Sequence, residues 1–161
     1  MHRGADIVDI NGGTPGRYVV SPCNGTVRYI RNNGDSCGYC ISIITDDIDP
    51  VTGQNIAVIF MHLQELPKDS NGNVIPLGKK VTPNSIIGKI GNTNGGTNPG
   101  MGAHLHFETN NKAAGVGDPG RENFDNTINP LLYYLEMKNT ITYNYSASMT
   151  NIANYGFFWY K

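Results

Sequence analysis

Four histidines occur in the chain, His2, His62, His104 and His106, and two of them share one alternating run, His104-Leu105-His106-Phe107-Glu108. In an extended strand, side chains two residues apart lie on one face. His104, His106 and Glu108 are therefore expected on one side, with Leu105 and Phe107 turned into a core. Two imidazoles followed by a carboxylate suit a divalent metal and an acid that supports its ligand. A lone H-x-H arises by chance often enough that it does not decide the matter. A second half-site stands in His2-Arg3-Gly4-Ala5-Asp6, where Gly4 permits a backbone excursion. One nitrogen and one carboxylate from this segment, joined by a nitrogen from the other, make a His/Asp/His set with a fourth tetrahedral position for water. Taken alone, His2 reads better as an unanchored terminal residue, and His62 as a half-buried histidine closing a strand.

Other candidate chemistry is thinner. Cys37-Gly38-Tyr39-Cys40 has the spacing of half a zinc or redox site, but the only other cysteine is Cys23. Buried small hydrophobes, or one disulfide plus a spare thiol, are the simpler readings. The net charge of −1 and the lack of any Lys/Arg run argue against nucleic acid or anionic membrane as partner. No stretch reaches the ~20 apolar residues of a membrane helix, and no signal peptide opens the chain. A metal ligand directly after Met1 reads as a fragment of a longer, exported precursor.

At 161 residues, with 39% hydrophobic and 16% charged, the chain has the length and balance of one globular domain. Short runs rich in Val, Ile, Tyr and Thr alternate with Gly, Asn, Pro and Asp, which predicts strands and turns. Strands are expected at Tyr18–Val20, Gly25–Ile30, Tyr39–Thr45, Asn55–Leu63, Ile86–Ile90 and Ala103–Thr109. Asn32–Asp35 and Asp46–Gly53 supply the hairpin loops around the third. One helix is expected, over Pro130–Met137, followed by an aromatic tail from Thr140 to Lys161. The fold class expected is all-β, an antiparallel sheet closed or folded as a flattened barrel-sandwich, with residues 1–139 as the domain and 140–161 as an extension.

Several blocks together resemble the lysostaphin-type zinc endopeptidases of bacterial cell walls. They are His2–Asp6, Gly13-Thr14-Pro15, Ser21–Val27, Phe60–Leu63 and Leu77–Glu108, the last reading LGKKVTPNSIIGKIGNTNGGTNPGMGAHLHFE. The likeness covers roughly two-thirds of the chain. It implies one Zn2+ per chain held by His2, Asp6 and His106, with His62 and His104 as the catalytic histidines. It implies an activity, hydrolysis of peptidoglycan cross-links or stem peptides, in a monomer acting outside the cell or in its envelope. His104 would take the proton of the attacking water, and His62 would steady that water or the oxyanion. The Gly- and Asn-rich loop Asn92–Gly102 would wall a narrow cleft, with Asn32–Gly38, Asp46–Gly53 and Asn110–Asn126 as the other walls.

The chain departs from that family at three places. Only Met1 stands before His2 in this sequence, so the tyrosine that the family's upstream strand can bring to the oxyanion is expected to be missing or replaced from elsewhere, and neither Asp46–Gln54 nor the tail after Asn139 matches. Two other classes compete. A catalytically inactive scaffold of the same fold usually lacks one of the five site residues. A biotinyl or lipoyl carrier needs a lysine at a hairpin tip in a fixed motif, which neither Lys112 nor Lys138 offers.

Overall fold

The computed structural model describes residues 4–9, 13–49 and 52–110, and the backbone of 127–128. Every element there is a strand: β1 Ala5–Ile7, β2 Tyr18–Val20, β3 Gly25–Arg31, β4 Tyr39–Ile48, β5 Asn55–Leu63, β6 Lys80–Val81, β7 Ile86–Lys89, β8 Leu105–Asn110 and β9 Thr127–Ile128. The six expected strands are all present, with ends shifted by up to three residues. Three further strands, β1, β6 and β9, two or three residues long, were not expected from the sequence. His2, the expected helix Pro130–Met137 and the tail Thr140–Lys161 lie outside the described residues.

The long strands form one antiparallel sheet in the order β1-β8-β5-β4-β3-β6, with β9 also paired to β8. A two-stranded sheet, β2 and β7, lies across it. Between them sits the main core, where Val19, Val20, Ile87 and Ile90 meet Ile7, Ile41, Ile43, Val58, Phe60, Leu105 and Phe107. Phe60 and Phe107 are register partners with rings stacked 5.0 Å apart, an arrangement adding about 0.5–1.5 kcal/mol beyond burial.

The central strands are covered on both faces. Ile59 and Met61, pointing away from the main core, pack with Cys37, Cys40 and Tyr29 in a second, smaller cluster. This explains why β5 reads as an unbroken apolar run instead of alternating. All three cysteines are free thiols and buried, so they pack as small hydrophobes. Burial, helped by neighbouring Cys37, pushes the Cys40 thiol up to about 12.

Phe60→Ala removes a fully buried ring together with its stacking partner's contact. It should cost about 3–5 kcal/mol, a large part of a typical domain's stability, read as a lower urea midpoint at unchanged slope.

Candidate active site

The site stands on the face of β8 that turns away from the main core. Leu105 and Phe107 enter that core, so His106 and Glu108 point the other way, as the alternation requires. β1 lies antiparallel beside β8 with Asp6 opposite His106, and β5 on the other side sets Met61 opposite His106. Ala5 and Ile7 are buried, and Ile7 belongs to the core, so Asp6 comes to the His106 face.

His106 is buried between two carboxylates. Its Nδ1 lies 2.9 Å from Asp6 Oδ1 and its Nε2 lies 2.8 Å from Glu108 Oε1. Burial alone would disfavour the charged ring, but the hydrogen bonds it donates to both carboxylates outweigh it and hold His106 up to about 9. Glu108 is only 2% exposed, so it is a partner of the imidazole and not a solvent-facing strand end.

His104 precedes β8 and is joined through its backbone to Gly91, whose carbonyl accepts the His104 N–H at 3.1 Å. Its Nδ1–H donates to the Gly102 carbonyl at 2.8 Å, and its Nε2 lies 3.8 Å from Asp6 Oδ1. His62 ends β5 with φ +62, a left-handed conformation uncommon outside glycine. Three neighbours hold it there. Its N–H donates to Cys37 O at 3.0 Å, its carbonyl accepts from Gly91 N at 3.0 Å, and its Nδ1–H donates to Thr93 O at 2.9 Å. The His62 ring centre is 4.7 Å from that of His104 and 5.9 Å from that of His106.

Because a carbonyl oxygen can only accept, Nδ1 of His62 and Nδ1 of His104 are the donors in these two bonds. Burial pushes His62 down to about 4, against a smaller rise from the Thr93 carbonyl, so it is neutral at physiological pH. The structure thus gathers Asp6, His62, His104 and His106. The sequence did not reveal that Gly91 bridges two histidines. Its N–H serves His62 and its carbonyl serves His104, and a Cβ there would stand 2.5 Å from Gln64 Cα. The signal available was a glycine closing a strand just before the loop of the cleft wall.

The donor set fits a metal in part. Asp6 and His106 stand side by side, Oδ1 and Nδ1 2.9 Å apart, and an imidazole flanked by two carboxylates is a place where a cation is electrostatically favoured. No group of three His, Cys, Asp or Glu residues in metal-holding geometry occurs among the described residues, and the third expected ligand, His2, lies outside them.

The two shifts give opposite pH dependences in chelator. His62 has a folded value below its ordinary 6.5, so its contribution to stability is whole above pH 6.5 and is lost as pH falls towards about 4. His106 has a folded value above 6.5, so its contribution is whole below pH 6.5 and is lost as pH rises through about 9. Thermal unfolding across this range should show both limbs, each with a slope on the order of 1 kcal/mol per pH unit. His62→Gln should flatten the acid limb alone, and His106→Gln the alkaline limb alone.

Comparison with known proteins identifies the scaffold. The model of peptidase family M23 matches residues 1–119. The catalytic domain of the antimicrobial peptidase lysostaphin from Staphylococcus simulans superposes with a TM-score of 0.53 at 22% identity, over 83% of this chain and 88% of that one. A mutant catalytic domain of the prophage-encoded M23 protein EnpA from Enterococcus faecalis gives 0.53 at 19% identity, over 76% and 74%. Among curated proteins, none matches. With the family model spanning most of its length and the same fold in these structures, the chain belongs to peptidase family M23.

Proposed function

We propose that the chain is a zinc-dependent endopeptidase that hydrolyses cross-links or stem peptides of bacterial peptidoglycan. The observation that carries this reading is the pairing of two histidines, rings 4.7 Å apart and each with Nδ1 bonded to a backbone carbonyl, beside the Asp6–His106 pair. Asp6 and His106, with His2, would hold the ion. Zn2+ bound there supplies Lewis acidity, which acidifies water and polarises a peptide carbonyl.

The chain's own residues divide the remaining work. His104, at Nε2, accepts the proton of the attacking water and returns it to the leaving amine nitrogen. His62 is neutral, with its proton committed to Thr93, so its Nε2 accepts a hydrogen bond. Of its two expected roles, this favours holding the attacking water over donating to an oxyanion. Glu108 fixes the His106 ring through Nε2, which turns Nδ1 towards Asp6 and leaves it as the atom that would hold a metal ion. The Asn92–Gly102 loop is braced internally, since Asn94 Nδ2 donates to Asn98 O at 2.7 Å and Asn94 O accepts from Thr97 Oγ1 at 2.8 Å. It is tied to the Asn32–Gly38 loop by the Gly95 N–H on Asn33 Oδ1 at 2.6 Å. A pre-formed wall with glycine at its tip suits an extended peptide of small residues. A monomer acting in the cell envelope or outside the cell completes the reading; no helix among the described residues is long and apolar enough to cross a membrane.

Purified peptidoglycans of defined cross-link should release peptides, seen by mass spectrometry, in a reaction abolished by chelator and restored by zinc. Release unaffected by chelator overturns the metal reading, and no release from a zinc-loaded, folded chain favours the inactive scaffold. His62→Ala and His104→Ala should each lower kcat by about 10²–10⁴-fold while zinc, measured by elemental analysis, stays bound. His106→Ala should lose the metal. Glu108→Gln should weaken metal affinity by about 10–100-fold in a competition titration.

A further inference from the structure

Thr93, in the loop after β7, touches two distant segments of the chain, one of them holding His62. Its hydroxyl donates to the carbonyl of Leu63, the residue after His62, at 2.5 Å. The same oxygen accepts the Tyr39 N–H at 3.0 Å, from the first residue of β4. Its carbonyl accepts the Nδ1–H of His62 at 2.9 Å. Gly38, at φ +63, lies so close that a Cβ there would overlap the Thr93 carbonyl and hydroxyl.

We propose that Thr93 is a positioning residue that sets the tautomer and ring direction of His62. This deepens the peptidase reading and rests on it. A free neutral histidine favours the proton on Nε2, the form that could not receive one from water. Holding the other form requires an acceptor fixed opposite Nδ1, and a loop carbonyl is free to swivel unless something pins it. The Thr93 hydroxyl does this by bonding the peptide that follows His62, so acceptor and imidazole are held in one frame. The Tyr39 N–H and the absent Gly38 side chain complete the mount from the β4 side. Thr93 acts on His62 without touching substrate.

The test reads tautomers directly, by long-range 1H–15N spectra of the full chain with and without zinc, His62 being assigned by its loss in His62→Gln. Wild type should show the Nδ1–H form, and Thr93→Ser should keep it, with activity within about twofold of wild type. Thr93→Val, which keeps shape and removes the hydroxyl, should show mixed tautomers. Its kcat should fall by about 10–100-fold, with KM changed far less. An Nε2–H form in wild type, its loss in Thr93→Ser, or an unchanged Nδ1–H form in Thr93→Val overturns the proposal whatever the activity. Because wild type and the serine variant decide even where the valine variant does not fold, the proposal stays open to refutation. Absence of any wall cleavage with the expected tautomers would count against the peptidase reading alone.

Discussion

The register between β1, β8 and β5 is the constraint on which the site depends. Asp6 meets His106 because the two stand opposite one another on neighbouring antiparallel strands, each with core residues on either side in sequence. A slip of one residue would send Asp6 into the core and Ile7 towards the histidines. The stacked Phe60–Phe107 pair and the buried Ile7 and Leu105 therefore do more than stabilise the sheet; they hold two ligand-type side chains to one face.

The second determinant is irregular. Regular strand geometry would carry His62 to a face set by alternation, yet its backbone is left-handed. Such a conformation costs on the order of 1–3 kcal/mol and persists where surrounding bonds over-determine it, as those from Cys37, Gly91 and Thr93 do. The regular part of the site lies on strands, while the strained part lies where a strand meets two loops.

This division explains what could be read from the residues. The alternation in Leu105–Glu108 gave the direction of His106 and Glu108 before any coordinates, because period-two patterning is a local property. The six expected strands were legible as runs rich in Val, Ile, Tyr and Thr bounded by turn residues, which is also a local property. β1 was not, since Ala5-Asp6-Ile7 offers only one β-branched residue, and the part expected of Asp6 came from resemblance. Thr93 and Gly91 were hidden because their contacts span some thirty residues of sequence and are made largely by backbone atoms, which leave little trace in side-chain type. The burial of Glu108 also depended on a non-local fact, the covering of the sheet's second face by the cluster around Cys37 and Met61.

The left-handed backbone of His62 sets stability against the role proposed for its side chain at a single position. Asparagine and glycine accept that conformation with less strain, so discarding the imidazole relaxes the scaffold. If His62 has the role proposed for it, a lineage released from selection for activity would drift downhill through this residue, losing its chemistry in one step.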